Sequence, residues 1–232
     1  MTPPLQPRPF GLVLGLGVGA GMFYYKAIVE AHLARGLSAK LIMVHADVRY
    51  VMESAAARET QQLASYLAGL LQQLSRGGAI LASIPAFSPQ VCAVELSALT
   101  PLPLINLLDV IALEVERLKL HRVALFGARV TMETRMFGRL QGVTVVMPTP
   151  EELDVIASLY VKIVGAAYAS EADYQQLRAL AHTLINRENL DAVVLAGTDL
   201  AFVFNPHNTD FPHVDGARVH IEAIMGEILR EG

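Results

Sequence analysis

The chain has 232 residues, of which 53% are hydrophobic and 17% charged, and a formal net charge of −4. That length and apolar content support a large core, as one domain or as two lobes, while the weak negative charge, without a run of like charges, excludes the basic field that a nucleic-acid backbone requires. Every apolar run is cut by Gly, Pro, His or a charged residue well before the roughly 20 residues of a membrane span, so the apolar content reads as buried sheet.

The first ten residues, MTPPLQPRPF, lack the basic-then-apolar order and the small-residue cleavage site of a secretory signal and are expected to form a short leader. From residue 11 onward, short apolar runs alternate with amphipathic stretches. The runs are GLVLGLG (11–17), AKLIMVHA (39–46), GAILASI (78–84), LPLINLL (102–108), HRVALFGA (121–128), GVTVVMP (142–148) and LDAVVLAGT (190–198). Apolar runs of this length, separated by helical segments, are the rhythm of βαβ units whose strands are buried on both faces of a parallel sheet. The helical segments carry their own punctuation. FYYKAIVEAHLARG (23–36) ends on Gly36, the segment 57–78 ends on Gly77 and Gly78, and the segment 149–165 opens on Thr149 with acids in its first turn.

The expectation is therefore an α/β protein of two similar lobes, each a parallel sheet flanked by helices, with an active-site cleft between them. The lobes are expected over residues 1–100 plus 208–232 and over residues 101–207. Ligands of open parallel sheets bind beyond the C-terminal strand ends, which directs attention to the loops at the ends of these runs. GLGVGAG (15–21) follows a strand and opens a helix, but its glycine spacing fits a dinucleotide fingerprint poorly, and the acid that should follow about 20 residues later is misplaced. A glycine-rich turn that lets a small anion reach backbone N–H groups is the better reading. ASIPAFSP (82–89) carries two serines after a buried strand without a G-x-S-x-G signature; Ser88 reads as a helix cap and Ser83 as the better pocket candidate. Thr131, Thr134 and Thr198 stand at corresponding strand ends, where hydroxyls and helix N-termini suit a carboxylate, although capping alone would explain each. The histidines show no metal-ligand spacing, and no metal is expected. His207 and His213 read as surface loop, and His220 as an ordinary half-buried helix residue. The single cysteine, Cys92, excludes an internal disulfide framework and a cysteine-based metal cluster and agrees with a reducing cytoplasm.

These loops, in order, resemble the cofactor-independent aspartate/glutamate racemases. GLVLGLGVGAGMFYY (11–25) is similar to the opening glycine-rich turn and paired tyrosine of that family, and VHADV (44–48) to its second-strand loop. GARVTMETRMFGRL (127–140) resembles the Gly-Thr-Arg-x-Thr-Met-Glu segment, and MPTPEE (147–152) is similar to the family's next stretch of chain. VVLAGTDL (193–200) resembles the Gly-Cys-Thr-Glu-Leu motif, and FPHVDGARVHIEAI (211–224) the closing Asp-Thr-x-x-His-Ala segment. The resemblance implies a small-carboxylate substrate held between two lobes, no cofactor, a cytoplasmic homodimer, and two cysteine thiols that pass a proton across the substrate.

At the matched cysteine positions this sequence has Ser83 and Gly197. A serine hydroxyl is a far weaker acid than a thiol of pKa ~8.5, and glycine offers no side chain. The resemblance assigns Gly17, Gly19 and His45 to substrate binding, along with Thr131, Met132, Glu133 and Thr198. Ile84 and Phe87 replace polar residues of the family's loop and point to a less polar substrate than aspartate. Asp199, Asp47 and His45 are candidate proton partners for Ser83. Two functions stay open: a PLP-independent isomerase or lyase with non-standard proton transfer, and a catalytically degenerate homologue acting as a ligand-binding or partner protein.

Overall fold

Two parallel sheets take up the apolar runs. The structure, a computed structural model, describes residues 6–230, so Met1 to Leu5 of the expected leader lie outside the described residues. The first sheet holds β1 (Phe10–Leu14), β2 (Leu41–His45) and β3 (Leu81–Ser83) in the order β2-β1-β3. The second holds β4 (Arg122–Gly127), β5 (Thr144–Val145), β6 (Ala192–Ala196) and β7 (His213–Asp215) in the order β5-β4-β6-β7. All pairings are parallel. This is the α/β architecture of two parallel sheets flanked by helices.

Helices connect the strands. In the first lobe they are α1 (Val18–Leu33), α2 (Val48–Ala57) and α3 (Thr60–Arg76). A 3-10 turn at Ser88–Cys92 leads into α4 (Ala93–Leu99), and α5 (Leu107–Arg117) crosses to the second sheet. The second lobe adds α6 (Arg129–Glu133), α7 (Pro150–Ala166), α8 (Glu171–Glu188), α9 (Leu200–Val203) and α10 (Gly216–Ile228). The caps are local and chemical. Thr149 and Glu152 form a reciprocal capping box at α7, Ser170 and Asp173 another at α8, and Asn106 accepts from Leu108 N at 2.8 Å to start α5. Along α3, Leu63, Leu67, Leu70, Leu71 and Leu74 recur at helical spacing and are all buried in the first core.

The structure corrects three sequence expectations. LPLINLL is not a strand: it makes one bridge, Ala82 to Leu104, because Pro101 and Pro103 cannot donate to a ladder and Asn106 already caps α5. His213, expected in a surface loop, opens β7. Near the C-terminal end β7 pairs with β6 in the second sheet, and α10 packs on α5 and on α1, the latter through Ala217, Ile221, Ile224 and Ile228. Finally, the first helix starts at Val18 and ends at Leu33, and Gly36, at φ 67°, closes the turn beyond it.

Strand order fixes where a ligand can sit. In the first sheet β2 and β3 flank β1, and in the second β5 and β6 flank β4, so each sheet reverses its winding between its first strand and the third. Crevices open outside the C-terminal strand ends at such points. They fall after Leu14 and Ser83 in one lobe and after Gly127 and Ala196 in the other.

Candidate functional site

A cleft of about 240 Å³ joins the two crevices. Leu16 enters it from beyond β1, Ala86, Phe87, Ser88 and Pro89 from beyond β3, Ala128 from beyond β4 and Thr198 from beyond β6. Val48, Val51 and Met52 of α2 close one side, and Tyr160, Val161 and Val164 of α7 close the other. A larger hollow of about 650 Å³ lies between α5 and residues 139–143, away from both crevices. Position decides between them, because only the smaller one is built from strand-end loops.

The glycine-rich turn does not face an open anion site. Its helix, α1, points an N-terminus at the second lobe, and there the carboxylate of Asp199 accepts from Ala20 N at 3.0 Å. A side chain at Gly17 would come 2.8 Å from Asp199 Oδ2, and one at Gly19 would meet the Phe202 ring at 2.5 Å, so small residues are needed for this approach. The anion expected from a ligand at this turn is supplied by the protein itself, with the helix dipole and free N–H groups favouring it. Asp199 is only 1% exposed, and burial raises its carboxyl from 3.8 to about 6 against the lowering effect of the Ala20 bond.

Next to it stands Gly197, whose missing side chain makes room for Tyr160. A Cβ at 197 would lie 2.3 Å from Tyr160 Cε2. The Tyr160 hydroxyl sits beside the Thr198 side chain and the Asp199 backbone; burial first, and the nearby Asp199 carboxylate second, hold it protonated well above the usual phenol range. Sequence reasoning missed Tyr160. Its signal was the stripe Leu153, Ile156, Ala157, Tyr160 and Val164, at the spacing of one helix face.

Ser83 is not among the residues that line the cleft; the loop after β3 reaches it three residues later, at Ala86. The serine is buried, and its hydroxyl donates to Ile105 O at 2.8 Å. His220 Nε2 lies 2.9 Å from Ser83 Oγ and 3.1 Å from Ile105 O, and its Nδ1 lies 2.9 Å from the Tyr24 hydroxyl. One tautomer satisfies every donor. Nε2–H is shared between Ser83 Oγ and Ile105 O, and Nδ1 accepts from Tyr24, whose hydroxyl is held protonated by burial. In that arrangement no base draws the serine proton. His220 is fully buried rather than half-buried, and burial lowers it from 6.5 to about 4, so it is neutral at pH 7.

The other sequence-assigned residues are dispersed. Asp47 caps α2, accepting from Arg49 N at 2.9 Å, and His45 is exposed at the end of β2. Thr131 is fully buried with its hydroxyl unpaired, Thr134 donates back to Val130 O, and Met132 is packed in the second core. Glu133 pairs with Arg129 at the surface. Ile84 lies in the first core and borders a separate hollow between α4 and α5. Of the whole set, Phe87 and Thr198 line the cleft, and Gly197 adjoins it through Tyr160. Among the described residues no group of three or more His, Cys, Asp or Glu side chains could hold a metal ion.

A family model described as Asp/Glu/hydantoin racemase matches residues 13–224, nearly the whole chain and all the strand-end loops just placed. The chain belongs to the Asp/Glu/hydantoin racemase family. Solved structures of racemase-family proteins agree in fold. One is a Yersinia pestis protein provisionally named an Asp/Glu racemase, 21% identical, TM-score 0.83, covering 96% of this chain and 100% of that one. An aspartate racemase homologue from Pyrococcus horikoshii is 18% identical with a TM-score of 0.79, covering 96% and 100%. A Francisella tularensis glutamate racemase, solved with D-glutamate, is 14% identical with a TM-score of 0.67, covering 97% and 84%. No curated protein matches the chain by sequence. Among the described residues of this family member, no helix is long and apolar enough to cross a membrane.

Proposed function

We propose that this racemase-family chain binds a small carboxylate in the interlobe cleft without the two-thiol proton exchange that its family resemblance implies. The composition of the cleft wall carries the reading. Among the described residues Ser88, Tyr160 and Thr198 are its only polar side chains, and none is a base at neutral pH. The single cysteine lies outside the wall, in the buried turn Ser88–Cys92, with its thiol pushed up to about 12 by burial and then by Glu95. A hydroxyl-rich, charge-poor wall can meet one carboxylate through charge-assisted hydrogen bonds, for which donors matter more than counter-charges.

Isothermal titration with a panel of small carboxylic and amino acids tests this reading. Thr198→Val should weaken the bound member by the ~1.5 to 3 kcal/mol of a hydrogen bond to a charged group, roughly ten- to a hundredfold. An unchanged dissociation constant would place the ligand elsewhere. Asp199 supports a second reading, a cofactor-independent isomerase or lyase. A carboxyl at about 6, next to Thr198 in sequence, suits acid–base exchange near neutral pH. By family resemblance the protein would work as a cytoplasmic homodimer, which light scattering checks.

A further inference from the structure

The cleft that the proposed function makes a binding site also carries information about what it selects. Among the described residues its lining contains no Lys, Arg, His, Asp or Glu. Of the cations close in sequence, Arg129 is paired with Asp154 and with Glu133 at 3.3 Å, and Lys162 with Asp173 at 2.8 Å. Arg49, between Val48 and Val51, is exposed and does not line the cleft. An amino dicarboxylic acid would bring two carboxylates and an ammonium to a wall with no counter-charge for any of them. Burying charges without partners is strongly unfavourable.

The remaining space is small and apolar. At about 240 Å³ the cleft falls below the roughly 300 to 1,000 Å³ of most ligand pockets. Leu16, Val51, Phe87 and Ala128 line it with hydrocarbon, and the Tyr160 ring takes up the space beside Gly197.

We propose that the cleft takes a monocarboxylic acid with a compact branched hydrocarbon tail, its uncharged lining turning away amino dicarboxylic acids and the Tyr160 ring limiting the room left for the ligand. The carboxylate meets the hydroxyls of Thr198 and Ser88, and the tail lies against Phe87 and the α2 side chains. Thr198 and Ser88 thus determine that an acid binds; the apolar wall and the Tyr160 ring determine which acid.

The proposal rests on the cleft being a binding site, and the experiment keeps the two apart. The full chain is titrated with 4-methylpentanoate, its primary amide, 4-phenylbutanoate, L-aspartate and L-glutamate, and the titrations are repeated with Tyr160→Ala and Tyr160→Phe. The parent protein should bind 4-methylpentanoate at least tenfold tighter than its amide or either amino dicarboxylic acid. Tyr160→Ala should move the preference toward 4-phenylbutanoate by at least tenfold, and Tyr160→Phe, which keeps the ring, should leave it in place. Circular dichroism identifies a misfolded variant, and Tyr160→Leu then serves as the shortened side chain. Binding of L-aspartate as tight as that of 4-methylpentanoate, or a preference unmoved by removing the ring, would overturn the ligand class while leaving the binding site standing. Failure of every compound to bind would overturn both.

Discussion

Replacing Asp199 with Asn tests how the two lobes meet. The parent carboxyl is held at about 6 instead of 3.8, at 1% exposure, against the N-terminus of α1. Between those two pH values the folded state keeps a proton that the unfolded chain has released. Stability from this group is therefore present below about pH 4 and lost as pH rises through 6, a change of about 3 kcal/mol. Asn cannot ionise, yet its amide oxygen can still accept from Ala20 N. His220 acts in the opposite sense. Held at about 4 against 6.5, it refuses a proton that the unfolded chain accepts, so its contribution is present above 6.5 and lost as pH falls. In the parent the two effects offset each other between about pH 4 and 6.5, and the stability curve is shallow there.

Urea unfolding followed by circular dichroism across this range should show that the Asp199→Asn protein loses about 3 kcal/mol on acidification that the parent does not lose. Equivalently, the variant gains on the parent as pH rises. Groups common to both proteins cancel in the difference. A difference between the two proteins that does not change with pH, or that changes in the opposite direction, would refute the placement of an ionised Asp199 at this buried contact.

Ser83→Ala should cost only about 1 kcal/mol, because His220 Nε2–H keeps Ile105 O as its acceptor, and should leave ligand affinity unchanged. A tenfold loss of affinity would return Ser83 to the binding site. Cys92 is buried with its thiol pushed up to about 12, so iodoacetamide at pH 8 should label the native protein far more slowly than the urea-unfolded chain. Equal labelling rates would contradict that burial.

Much of the fold was legible because burial on both faces of a parallel sheet leaves an unbroken apolar run, and six of the seven runs contain strands. LPLINLL has the same apolar content but not the backbone donors, so composition alone misassigned it. β7 escaped notice because His213 and Asp215 flank Val214, leaving a single apolar residue to mark it. The site was harder to read. The buried run through Ser83 continues into Ile84, Ala86 and Phe87, so the residue at which the strand leaves the sheet is not marked in sequence. Tyr160 belongs to a helix face that looks like core, and nothing in α7 tells which part of that face meets the other lobe. The Asp199 contact with Ala20 joins residues 179 positions apart and exists only once the lobes are assembled. The motifs in order did identify the family, because strand-end loops keep their chemistry wherever the lobes place them.

Deuterium exchange at the ligand's Cα, followed by proton NMR in deuterated water under saturating conditions, tests the central claim most directly. The ligand is first established by titration, so occupancy of the cleft is known. With no base on the cleft wall, the α-proton signal should persist without loss beyond the protein-free control. Protein-dependent loss of that signal, abolished by Asp199→Asn, would contradict a binding-only cleft and establish proton-transfer chemistry in its place.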